Sequence, residues 1–286
     1  MERIKLAIEK AKAGLQDSAD SAISPIRAEP PTARKEKPAL RVTERAAPAS
    51  APIAVQYTET TVVPLDENHL ASKRVVAHQK THPAAWSFDV LRTQVLQKMD
   101  ENGWKTIAIT SPSVESGKTL ISTNLAISIS QMSNRTVLLV DFDFRRPSVA
   151  KTLGIECKTS LNDVLSGDAS VAEALVNPGM ERFVVLPTNR SVPNASEMLS
   201  SAKVGHLIGE MRDRYGDRIV IFDLPPMLVA DDVMTLLPRI DCVLLVVASG
   251  ASTEGEIEET MNRLAKANLL GVVMNKEDAP VPNAYY

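Results

Sequence analysis

Cysteine, histidine and long apolar runs are all scarce in this 286-residue chain, and each scarcity excludes something. Cys157 and Cys242 lie beside apolar stretches without metal-ligand spacing, so they read as buried free thiols and not as a disulfide framework or a zinc site. His69, His78, His82 and His206 form no ligand cluster. No apolar stretch approaches the ~20 residues of a membrane span, and the first residues do not have the form of a signal peptide. The expectation is a cytoplasmic protein. Charge of one sign is lacking too: a net charge of −3 and a pI near 5.9 give no electrostatic case for nucleic acid. Aromatic residues are missing altogether before Tyr57. From Gln16 to Pro64 the chain is rich in Ala, Ser, Pro, Arg and Glu, and it cannot bury enough apolar surface to offset chain entropy.

These features divide the chain. Residues 1–15 carry Ile4, Ile8, Ala11 and Leu15 near helical spacing, which predicts an amphipathic helix, either a docking element or simply exposed. Residues 16–80 read as a disordered linker, 81–276 as one globular domain and 277–286 as a flexible tail. Within the domain, strands are expected at 105–110, 136–142, 183–187, 218–223, 242–248 and 269–274. Helices are expected at 83–101, 118–132, 194–214 and 253–267, with short helices over 160–175. Gly103 should stop the first helix, and Thr253-Glu-Gly-Glu256 should cap the last. The alternation predicts an α/β fold, a doubly wound and mostly parallel sheet.

Against these absences stands one dense motif, Ser111-Pro-Ser113-Val114-Glu115-Ser116-Gly117-Lys118-Thr119, between the strand Thr106–Thr110 and a helix opening at Leu120. Strand, Gly-Lys-Thr loop and helix form the context of a phosphate-binding loop. Backbone N–H groups from Ser113 to Leu120 would face phosphate oxygens, because a helix N-terminus carries partial positive charge. Lys118 would reach the β- and γ-phosphates, and the Thr119 hydroxyl would meet Mg²⁺. Pro112 stands where such loops usually have their first glycine.

Two apolar runs end in acids. Val137-Leu-Leu-Val-Asp141-Phe-Asp143-Phe-Arg145-Arg146 offers two carboxylates at alternate positions, and Ile219-Val-Ile-Phe-Asp223-Leu-Pro225-Pro226 offers a third. Acids at the C-terminal ends of parallel strands lie where open α/β sheets bind ligands. The expectation is that all three converge on one Mg²⁺, with Asp223 holding a metal-bound water. Asp141 or Asp143 would also take the proton of an attacking hydroxyl, and the spacing does not choose between them.

In this order the three motifs resemble the Walker A, A′ and B motifs of the bacterial tyrosine kinases, in particular the exopolysaccharide-biosynthesis autokinases without a membrane domain, including those found with exosortase systems. The resemblance runs from about Val75 to Val273, with further signatures at Leu91-Arg-Thr93, Pro193-Asn194-Ala-Ser-Glu-Met-Leu199 and Asp231-Asp232. It implies a P-loop fold and ATP-Mg²⁺ as phosphoryl donor. Lys118, Asp141, Asp143 and Arg145 would be catalytic, with Thr119, Asp141 and Asp223 at the metal. The acceptors would be Tyr285 and Tyr286, phosphorylated in trans. It implies activation by a membrane chain-length regulator at the inner face of the membrane, a tyrosine phosphatase as a second partner, and a homo-oligomer. One departure weakens the last point: family members build rings with a Glu-x-x-Arg-x-x-Arg pattern, where this chain has Trp86, Asp89 and Arg92. A competing signal is Asn275-Lys276-Glu277-Asp278, which matches the guanine-reading box of GTPases; the reading adopted puts Asn275 near adenine. The remaining alternatives are a partitioning-type ATPase switch, which would carry a lysine where Ser113 stands, and a nucleotide-binding regulator without kinase activity.

Overall fold

The structure, a computed structural model, describes residues 60–193 and 195–277. The predicted N-terminal helix, Tyr57, Asn194, Asp278 and the tail with Tyr285 and Tyr286 lie outside the described residues. The elements in chain order are β1 (Thr61–Val62), α1 (Glu67–Ser72), α2 (Pro83–Asn102), β2 (Thr106–Thr110), α3 (Lys118–Ser130), β3 (Thr136–Asp141), α4 (Val149–Leu153), α5 (Leu161–Ser166), α6 (Val171–Ala174), β4 (Val176–Asn177), β5 (Phe183–Leu186), α7 (Ala195–Ser200), α8 (Ala202–Asp213), β6 (Arg218–Asp223), α9 (Asp232–Leu236), β7 (Cys242–Ala248), α10 (Glu254–Arg263) and β8 (Leu269–Asn275). Eight strands form one sheet in the order β1-β4-β5-β3-β6-β2-β7-β8. Every pairing is parallel except β4 with β5.

Parallel strands covered on both faces should be apolar throughout, and every residue of β2, β3, β5 and β7 is buried. Alternate side chains feed two cores. Leu138 and Val140 face α7, α8, α9 and α10 on one side, and Val137 and Leu139 face α1, α2, α3 and α4 on the other. On the first side Phe142 stacks on Phe222, with ring centroids 5.2 Å apart and planes within 5° of parallel. This pair clamps the ends of β3 and β6, the two strands that carry the acids. The register of the two strands sets Asp141 opposite Asp223.

Local signals act as expected in α2 and α10. His82 caps α2 ahead of Pro83, and Gly103 ends it at a φ of +67°. At α10 the Thr253 N–H donates to Glu256 Oε2 at 2.8 Å, and Glu256 N–H returns a bond to Thr253 Oγ1. Two expectations need correction. The helix placed at 194–214 is two helices, because Ser201 takes an extended backbone (φ −61°, ψ 151°) and its hydroxyl caps α8 at Val204 N. A serine that can bond its own backbone competes with helix continuation.

The linker predicted to run to residue 80 also ends earlier, because residues 60–80 are folded onto the domain. Thr61 and Val62 pair with β4, and Leu70, Val75 and Ala77 are buried. Asn124 of α3 holds this segment: its Oδ1 accepts from the N–H groups of Val76 (2.8 Å) and Ala77 (2.9 Å), and its Nδ2 donates to Arg74 O. A few scattered apolar residues sufficed because a buried amide on another element satisfies their backbone. At the position of the ring motif, Asp89 accepts from Arg92 (2.8 Å), Ser128 (2.6 Å) and Lys80 (3.2 Å), all within the chain. Burial opposes the ionised Asp89 carboxyl, yet these donors hold it below its usual range.

Candidate active site

At the C-terminal edge of β2, β3 and β6 opens a cleft of about 650 Å³, within the range of small-molecule sites. Val114, Glu115, Gly117, Lys118, Thr119 and Leu120 form one wall, and Asp143, Arg145, Arg146 and Ser148 face them. The loop between β2 and α3 is braced before it reaches the cleft. Ser113 O accepts the hydroxyls of Ser111 (2.7 Å) and Ser116 (2.9 Å), so Ser113 and Ser116 serve the loop's own hydrogen bonding. Met227 N–H donates to Ser111 O, and Thr110 Oγ1 to Pro225 O, which straps the segment after β6 onto the loop. Gly117 then takes a φ of +91° as the residue before α3, a conformation that side chains strongly disfavour, and α3 starts with no side-chain cap. The open N–H groups at that end suit an anion.

Lys118 is 8% exposed and lies 3.8 Å from Asp143 Oδ2. Thr119 Oγ1 donates to Asp223 Oδ2 at 2.6 Å, and Ser122 Oγ donates to Asp223 Oδ1 at 2.8 Å. Thr119 Oγ1 also lies 2.8 Å from Ser148 Oγ. Burial, opposed chiefly by the Lys118 charge, pushes the Asp223 carboxyl above its ordinary range. Asp141 is pushed well above by burial and then by the charge of Asp223.

The two acids of the 141–143 motif are thus separated. Asp143 opens on the cleft and meets Lys118. Asp141 is fully buried: Oδ1 accepts from Asp143 N, and Oδ2 accepts from Ser148 N (2.9 Å) and Val149 N (3.0 Å). The three acids therefore do not converge as one ligand set, and among the described residues no group of three His, Cys, Asp or Glu side chains is disposed around a metal. This still fits Mg²⁺, which takes one or two carboxylates and fills its shell with water and substrate phosphates. Thr119 beside Asp223 is such a set.

Arg145 lies exposed on the rim, donating to Ser196 Oγ at 3.4 Å. Asn275, expected near the adenine, donates its amide to Ser116 O of the loop at 2.9 Å. Ser122 and Ser148 were not foreseen. Ser122 falls three residues after Thr119 on the same helix face, so helical spacing could have revealed it. Ser148 follows a Pro-containing turn, and no pattern announces it.

Residues 104–270 match the family model described as an AAA domain. The chain is 35% identical over 208 residues to EpsB of Ralstonia nicotianae, which is 71% of this chain and 26% of that one. It is 31% identical over 190 residues to the tyrosine-protein kinase YwqD of Bacillus subtilis, covering 66% of this chain and 79% of YwqD. Among solved structures it superposes on the kinase domain of Escherichia coli tyrosine kinase ETK with a TM-score of 0.67 and 27% identity, over 79% of this chain and 93% of that one. The chain belongs to the bacterial tyrosine kinase family. Within that family it spans about a quarter of the length of long relatives such as EpsB. The family's P-loop NTPase fold accounts for the sheet order, and nucleotide binding accounts for the cradle at Gly117–Thr119. Among the described residues, no helix is long and apolar enough to cross a membrane.

Proposed function

We propose that this chain is an ATP-dependent protein-tyrosine autokinase that regulates exopolysaccharide or capsule biosynthesis and export. The observation that carries the reading is the pairing of Lys118 with Asp143 across one cleft, next to a Thr119–Asp223 pair fit for a hydrated cation. When bound, ATP-Mg²⁺ supplies the phosphoryl group and counter-charge. The residues of the chain do the rest. The Gly117–Leu120 backbone binds phosphate, and Lys118 stabilises charge on the transferred group. Thr119 and Asp223 hold the cation, with Ser122 fixing the Asp223 carboxylate. Asp143 accepts the tyrosine proton, since it is the acid of its motif that opens on the cleft. Asp141 keeps the 146–149 turn in place through backbone bonds, and Arg145 screens charge from the rim.

The acceptors in this reading are Tyr285 and Tyr286, delivered in trans. The tail is rooted just past Asn275, whose amide touches the loop. Nine residues beyond Glu277 can span at most about 30 Å, enough to reach the cleft of a neighbouring copy. A membrane chain-length regulator is the expected activator, recruiting the chain to the inner face of the membrane, and a tyrosine phosphatase resets it. The test mixes a Tyr285→Phe/Tyr286→Phe double mutant, as enzyme, with a tagged Lys118→Met chain that keeps its tail, in ATP-Mg²⁺, and maps phosphate by mass spectrometry. Label should appear on the tagged tail alone. An unlabelled tagged tail beside a self-labelling wild type rules out transfer in trans, and label on the double mutant puts the acceptors elsewhere.

A further inference from the structure

The Ser116 carbonyl and the Gly117 N–H belong to one peptide unit, and in a trans peptide the two point in opposite directions. Ser116 O is taken by the Asn275 amide at 2.9 Å. Gly117 lines the cleft, whereas Asn275 does not. Fixing the carbonyl onto Asn275 therefore aims the Gly117 N–H away from β8. The fit is close: a β-carbon placed on Gly117 would collide with the Asn275 amide nitrogen, so the glycine is required by its neighbour as well as by its φ of +91°. Asn275 is itself fixed, because its backbone carbonyl accepts from Ser249 N at 2.8 Å and its strand pairs with β7. The side chain thus links a sheet strand rigidly to a phosphate loop that has no side-chain cap of its own.

We propose that Asn275 is a positioning residue for the phosphate cradle: it orients the Ser116–Gly117 peptide for phosphate and does not read the base. The inference requires nucleotide binding at the loop but not tyrosine transfer. A chain that binds triphosphate and never labels tyrosine would sink the kinase reading and leave this one intact.

The test measures binding of ATP, GTP and Mg²⁺-tripolyphosphate, which has no base, to the full chain by calorimetry. Asn275→Ala should weaken all three by a similar factor, about tenfold for one lost hydrogen bond that orients a donor. Melting temperature should stay within a few degrees, since Asn275 is only half-buried. A purely structural role would lower the melting temperature and leave the ratio of affinities to chance. Asn275→Asp keeps the shape and replaces the donor with a carboxylate facing a carbonyl, and it should weaken tripolyphosphate at least as much. It also serves if the alanine variant does not fold. Loss of ATP or GTP binding with tripolyphosphate unchanged would assign Asn275 to the base and overturn the proposal, as would unchanged binding of all three.

Discussion

Lys118→Met should do two separable things, because Lys118 serves both the phosphates and the buried acids. The lysine and Asp143 are both nearly enclosed, with side chains 10% and 7% exposed and 3.8 Å apart. At an effective dielectric of 20 that pair is worth about 4 kcal/mol of Coulomb energy. Methionine removes it, and also removes the cost of burying an ammonium group, so the net loss in metal-free buffer at pH 8 should be about 2 to 4 kcal/mol. At about 2–4 °C per kcal/mol for a domain of this size, the melting temperature should fall by roughly 10 °C. The sign of the pH dependence follows from Asp223, whose carboxyl is raised by burial and restrained mainly by Lys118. A carboxylate whose folded pKa lies above its unfolded value costs stability as pH climbs past the unfolded value and costs nothing below it. Removing Lys118 widens that interval, so the mutant's deficit should shrink towards acid and fall under about 1 kcal/mol near pH 4. Differential scanning calorimetry from pH 4 to pH 8 reads this directly, and phosphotransfer at pH 8 should drop by at least about a hundredfold. A deficit independent of pH, or wild-type phosphorylation in a folded mutant, would refute the reasoning.

Other outcomes follow from the same geometry. Asp143→Asn should lower kcat by about 10²–10⁴-fold, as expected for a lost general base, and should also lower the melting temperature by several degrees, because it leaves the enclosed Lys118 ammonium without its ion-pair partner. Asp141→Asn should instead cost about 1–3 kcal/mol of stability, because one of its three backbone donors loses a proper acceptor; equal kcat losses in the two would merge roles that the structure separates. Asn124→Ala strands the buried N–H groups of Val76 and Ala77 and should cost about 2–5 kcal/mol, with faster hydrogen exchange confined at first to residues 74–77. Glu115 sits in the phosphate loop at a φ of +60°. Glu115→Gly should leave stability unchanged or raise it by about 1 kcal/mol, and should tighten ATP binding by removing a negative charge from the cleft wall; weaker binding in calorimetry would contradict this.

The strands at 105–110, 136–142, 218–223 and 242–248 were legible in the sequence, because a strand buried on both faces leaves a continuous apolar run whatever surrounds it. So was the loop at Ser111–Thr119, whose glycine and lysine chemistry is local, and so was the presence of acids at two strand ends. The packing of residues 60–80 was not legible, since a two-residue strand and a few apolar side chains carry no period, and the amide that satisfies their backbone is supplied by Asn124 from another helix. Nor could spacing choose between Asp141 and Asp143. Both follow the same strand, and only the fold decides that the turn at 146–149 closes over the first and leaves the second facing Lys118. Asn275 shows the same limit: its motif suggested a base contact, and its placement beside Ser116 depends on where a strand at the sheet edge ends. Chemistry carried within a few consecutive residues was determined by the sequence; contacts between residues distant along the chain were decided by tertiary structure, because only packing sets which backbone groups each carboxylate or amide must satisfy.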